Sequence, residues 1–209
     1  MPELVETKVL REPWEIEPRL VELGLTRDGL HGVVLVAISE AANATPFHPA
    51  NAAGTLAYHH GTWALRNTYV GDEWRLDREG GVEAIWNDKL KVRVVFSNVD
   101  LACNDDQGPK PRSRKGAGAE RLCMSNYSLF GDMPMYTRQP TGEVSTFYLM
   151  VDEAGRAELT RPIVKGGTFE SYVERIYLII DGEDDDPAGK LSLDDGDVAD
   201  GFDPQIVRK

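Results

Sequence analysis

Among the side chains suited to acid–base or metal chemistry, the four histidines, His31, His48, His59 and His60, come first. His48 lies in Thr45-Pro-Phe-His-Pro49, a rigid loop because the residue before a proline is pushed out of the helical region. His59 and His60 are neighbours on a predicted helix, where adjacent side chains point about 100° apart. They cannot share one metal ion as an i, i+4 pair would. Glu40, on the preceding predicted helix, is the carboxylate that would join one of them. A metal-dependent hydrolase using Glu40 and His48, His59 or His60 is therefore one alternative, although no spacing here matches a zinc motif.

Cys103 and Cys123 flank a long loop. Without a Cys-x-x-Cys unit they form no framework, and burial as free thiols is the ordinary outcome. In adjacent strands they would meet as a clasp, or hold zinc with a histidine. The loop between them carries the chain's one concentrated basic run. Gly108 to Arg121 holds Lys110, Arg112, Arg114, Lys115 and Arg121 against a single acid, a local charge of +4. Arginine suits phosphate because its planar fork donates two hydrogen bonds at once. Nearby aromatics (Trp86, Tyr127 and Tyr136) would add base stacking if exposed. Gly116-Ala-Gly118 is not followed by Gly-Lys-Ser/Thr, so a nucleotide triphosphatase loop is excluded. Asp181 to Asp186 lacks the alternation of an EF-hand.

The net charge of −12 hides this layout. Residues 181–209 hold ten acidic and three basic residues, so −7 of the total resides there and −5 in everything before. The longest apolar run, Val33 to Ile38, is far too short to span a bilayer. The acidic beginning Met-Pro-Glu-Leu-Val-Glu does not read as a signal peptide. With two cysteines only, the expected compartment is the cytoplasm.

The elements that must position these residues follow from periodicity. Val5, Val9 and Leu10 suit a short edge strand or a pairing arm. Trp14 to Leu23 reads as a helix with Trp14, Leu20, Val21 and Leu23 on one face, stopped by Gly24. Thr26 reads as an N-cap, with Leu30, Val33, Val34, Ala37, Ile38 and Ala41 at helical spacing; a strand over Gly32–Ile38 competes. A second long helix covers Ala50 to Tyr69, with Leu56, Ala57, Trp63, Ala64 and Leu65 inward; Gly54 and Gly61 weaken it or mark close helix–helix approach. From Gly71 the period becomes two. Strands are expected at Trp74–Leu76, Val82–Trp86, Leu90–Asp100, Arg121–Phe130, Val144–Val151 and Arg156–Val164. Phe169, Tyr172, Val173 and Ile176 suit a turn or two of helix, with a closing strand over Arg175 to Ile180 as the equal competitor.

Helices first and strands after indicate α+β: N-terminal helices packed on an antiparallel β-meander over residues 1–180, then a disordered acidic tail, 181–209. The leading expectation is a non-enzymatic binding or regulatory protein engaging nucleic acid or another polyanion through the basic loop, without a cofactor. The tail is the expected competitor for that loop. In layout alone this resembles bacterial single-stranded-DNA-binding proteins, from which the chain departs by ending Gln205-Ile-Val-Arg-Lys209. The remaining alternative is a protein-interaction or inhibitor module, a nucleic-acid mimic whose acidic surface engages a basic protein partner. Oligomeric state and the partner's identity stay open.

Overall fold

Capping chemistry sets where the helical layer begins. In the computed structural model, which describes residues 7–126 and 144–179, Pro13 opens helix α1 (Pro13–Glu22), where its missing N–H costs no bond. Gly24 turns the chain at φ +69°, a conformation that favours glycine. Thr26 caps α2 (Arg27–Ala42), its Oγ1 accepting from the Gly29 N–H at 3.2 Å. Leu30, Val33, Val34 and Ala37 are buried along one face, so helix prevails over strand here. The third helix, α3 (Ala52–Tyr69), packs along α2.

These helices cover one face of a seven-stranded sheet. Its strands are β1 (Lys8–Leu10), β2 (Trp74–Asp77), β3 (Ala84–Asn87), β4 (Val92–Asn98), β5 (Ser145–Val151), β6 (Ala157–Lys165) and β7 (Thr168–Ile179), in the order β1-β7-β6-β5-β4-β3-β2. The expected antiparallel meander holds in two pieces, β2-β3-β4 and β5-β6-β7. Parallel pairing joins β4 to β5 and β1 to β7, so the sheet is mixed. A parallel neighbour needs a long crossover, and the connection from β4 to β5 is long enough to make one. It contains helix α4 (Ala117–Cys123) and a 3-10 turn over Met124–Asn126, where a strand was expected from Arg121. The whole of 168–179 is strand, including the part expected to be helical. The acidic segment 181–209 lies outside the described residues.

The core has two halves. On the helical side Ile16, Leu20, Leu30, Val33 and Leu65 meet Ile85, Val94, Phe96, Phe147, Leu149 and Ile176. On the opposite side Val95, Tyr148 and Met150 meet Ala102, Ala119 and Cys123 of the crossover, together with Val164, Phe169 and Tyr172 of the β6–β7 hairpin. Hence β4 is buried on both faces, although its alternating sequence suggested one solvated face. Two tryptophans expected inward point out: Trp14 is 73% exposed and Trp63 is 57% exposed. Ile16 and Gly61 hold the inward positions of their helices instead. A β-carbon at Gly61 would overlap the Phe96 ring, so only glycine lets α3 come this close to β4. Gly61→Ala is expected to cost about 1–2 kcal/mol, the strain of overpacking outweighing the gain in helix propensity. Chemical denaturation measures it; an unchanged midpoint would mean that the helix simply shifts.

The second face is rich in buried polar groups, and most of them are paired. Glu158, fully buried, accepts from Arg175 Nε (2.9 Å) and Nη2 (2.6 Å), from the Cys103 N–H (2.7 Å) and from Thr160 Oγ1 (2.6 Å). Arg175 also donates to the Asn104 carbonyl at 2.8 Å and lies 5.0 Å from the Tyr177 ring centroid. Asn126 bridges the diverging ends of β5 and β6. Its amide donates to the Thr146 and Pro162 carbonyls at 2.9 and 2.8 Å, and its oxygen accepts from the Thr146 N–H and from Arg161. Pro162 has no ladder N–H to offer there.

Candidate functional site

The basic segment is fastened to the sheet rather than loose. Val99 pairs with Pro111, Arg112 N–H donates to the Asn98 carbonyl (3.2 Å), and Lys115 N–H donates to the Gly167 carbonyl (2.8 Å). Tyr172 Oη donates to the Pro109 carbonyl and Asp100 Oδ1 accepts from the Lys110 N–H. Gly and Pro, read as marks of an exposed loop, here let the chain bend closely over a packed face. Gly118 sits against the Gly80 backbone where a β-carbon would collide.

That anchoring sorts the five cations. Lys115 turns inward, its Nζ donating to Ser97 Oγ at 2.7 Å and lying 5.5 and 5.4 Å from the Tyr148 and Phe169 ring centroids. Burial pushes its pKa down to about 8. Lys110 Nζ donates to the Phe169 carbonyl at 2.7 Å. Arg112 is exposed; its Nε donates to the Val99 carbonyl at 3.0 Å, and its Nη1 pairs with Glu153. Arg114 is exposed and lies over Gly167. Arg121 is exposed at the end of α4. The segment's acid, Glu120, already accepts from the Gly167 N–H at 3.0 Å.

Arg112 and Arg121 line different clefts. Arg121 borders one of about 330 Å³ with Arg75, Arg93, Trp86, Leu122, Asp77, Glu79 and Asp88. There three guanidinium groups face three carboxylates: Arg93 pairs with Asp77 and Glu79 and stacks 5.2 Å over Trp86, while Arg75 approaches Asp88 at 3.7 Å. Trp86 is thereby covered and is no open stacking platform. Tyr127 and Tyr136 lie outside the described residues. Arg112 borders the other cleft, about 300 Å³, at the carboxyl ends of β4 and β5. Its walls are mostly small: Ala37 and Ala41 of α2, Ala53 and Ala57 of α3, with Ile38, Val99 and Val151. Alanines four apart on two successive helices are the sequence signal for this cavity, since residues expected as core positions here leave space instead.

The histidines do not converge. His60 Nε2 stands 3.8 Å from Glu40 Oε2 across α2 and α3. His48 Nδ1 accepts from the Thr45 N–H at 2.9 Å, closing its own turn. His59 meets the Tyr58 ring edge-on at 5.8 Å. Among the described residues no three His, Cys, Asp or Glu side chains are grouped to hold a metal ion. Both cysteines are free thiols, and burial pushes each up to about 12. Cys103 Sγ donates to the Ala157 carbonyl at 3.1 Å. Among the described residues no helix is long and apolar enough to cross a membrane.

The chain matches no family model, no curated protein and no solved structure. The two features that remain are outward arginines on a fixed backbone and a small-walled cleft beside one of them.

Proposed function

We propose that this is a non-enzymatic binding protein that engages an anionic partner, nucleic acid, through the segment 108–121. The supporting observation is that Arg112 and Arg114 project to solvent from a backbone hydrogen-bonded to β4 and to the β6–β7 turn, and Arg121 from helix α4. A fixed backbone lowers the ordering cost of binding. Lys115 turns inward in this reading and is not a contact. The acidic segment 181–209 is the proposed competitor, since ten acids tethered to the same chain act at high effective concentration.

With about three phosphate contacts the log–log dependence of single-strand affinity on salt should have a slope near −2. Replacing Arg112 and Arg114 by Ala should flatten it by about one to two units, whereas Lys115→Met should leave it unchanged. Fluorescence anisotropy of labelled DNA and RNA oligonucleotides reads both. Absence of binding at low salt, by the full chain and by one ending at Ile180, would sink the proposal.

A second reading has its own observation. Trp14 and Val21, seven residues apart on α1, are 73% and 71% exposed, beside the exposed carboxylates of Glu15, Glu17 and Glu22. Such a surface suits a basic protein partner with an apolar spot. Partners co-purified with and without nuclease separate the two readings: a nuclease-resistant protein partner lost on Trp14→Ala favours this one.

A further inference from the structure

We propose that the cleft at the carboxyl ends of β4 and β5 binds a small organic carboxylate, with Arg112 gripping the acid group and the alanine walls enclosing an apolar body. This goes beyond the nucleic-acid reading and does not depend on it. In open, mostly parallel sheets ligands collect in the crevice beyond the strands' carboxyl ends, and the parallel pair β4–β5 offers such a crevice in the middle of this mixed sheet. Here that crevice opens where Asn98 and Val99 leave β4 and Val151 and Asp152 leave β5, beneath α2 and α3. Its volume of about 300 Å³ is at the lower end of the range for ligand pockets. At about 30 Å³ of liquid volume for each water-sized group, it holds roughly ten heavy atoms.

The polar groups at its rim define the ligand's charge. Asp152 is occupied, accepting from the Ala102 N–H (3.0 Å), the Ala154 N–H (3.0 Å) and Arg156 Nε (2.8 Å). Asn98 Nδ2 donates to the Gly54 carbonyl at 2.6 Å. Arg112 differs. Its Nε is fixed on the Val99 carbonyl, which orients the guanidinium at the mouth, while its Nη1 is met by Glu153, a side chain 73% exposed. Glu153 is a solvated counter-ion that a ligand carboxylate can replace on the same fork, trading one charge-assisted bond for another. The ligand then adds what Glu153 lacks, an apolar body that leaves water for the walls of Ala37, Ala41, Ala53 and Ala57.

Octanoate, with about ten heavy atoms, is the probe, and octan-1-ol and acetate are the comparators. Titrated into full-length protein labelled at alanine methyls, octanoate should shift the signals of Ala37, Ala41, Ala53 and Ala57 saturably. Octan-1-ol should bind about tenfold more weakly, and acetate should not saturate. Arg112→Gln should remove the preference for octanoate over octan-1-ol. Glu153→Gln, at an exposed side chain that leaves the fold intact, should tighten octanoate severalfold by removing the resident competitor. Equal binding of alcohol and acid, no saturable shift, or an indifferent Glu153→Gln would each overturn the proposal.

Discussion

Glu158→Ala is expected to destabilise the protein by about 3–5 kcal/mol, because it strips the partner from a buried guanidinium and leaves the charge uncompensated. For a chain of this size that corresponds to a melting temperature lower by roughly 10 °C or more. The loss spreads beyond the pair. Glu158 also holds the Cys103 N–H, and Cys103 sits at φ +52°, a conformation that costs a non-glycine residue energy. Arg175, once released, no longer fixes the Asn104 carbonyl. Amides of 103–107 should therefore exchange faster than the rest of the sheet. The double variant Glu158→Met with Arg175→Met removes both charges together and should recover most of the lost stability. If the single variant melts within a degree or two of the parent, water reaches the pair and the burial argument fails. Hydrogen exchange and thermal denaturation decide it.

Lys115→Met should act in the opposite direction, raising stability at pH 7 by about 1–3 kcal/mol, or about 3–10 °C. Burial lowers the lysine from its ordinary 10.5 to about 8. Between those values the unfolded chain holds the proton more often than the folded one, so stability rises with pH across that window. Below about pH 8 both forms are protonated and the cost of burying the charge is present in full. The methionine variant carries no such cost. Its advantage should be constant up to about pH 8 and shrink as pH climbs toward 10.5. Denaturation midpoints measured at a series of pH values test this. A destabilised variant at pH 7 would show instead that the bond to Ser97 Oγ outweighs the desolvation of the ammonium.

Local chemistry carried a good part of the fold. The Thr26 cap, the Gly24 stop and the spacing from Leu30 to Ala37 specify α1 and α2 because each acts within one or two turns. What was not legible depends on distant chain. Arg93 and Ser97 alternate with Val92, Val94 and Phe96 as if facing water, yet both are buried, Arg93 against Asp77, Glu79 and Trp86 and Ser97 beneath Lys115 of the crossover. Trp14 and Trp63 face outward because the layers pack Ile16 and Gly61 inward, and spacing alone cannot rank two candidate faces. The basic segment was visible by charge, but the direction of each side chain was not. Lys115 and Arg114 are adjacent in sequence; one is half-buried against aromatic rings, and the other lies exposed over Gly167.

The pairing of β1 with β7 has a consequence for how the chain is made. Lys8, Val9 and Leu10 add in parallel beside Glu174, Arg175 and Ile176, so nearly the whole described chain must emerge before this ladder can close. Contacts of such sequence separation slow folding, since a long loop must be ordered before any bond forms. Until β1 arrives, β7 presents a bare edge, the kind of template on which other strands assemble. Nascent or refolding chains should thus be most prone to association late, when β7 is formed and β1 is not yet in place.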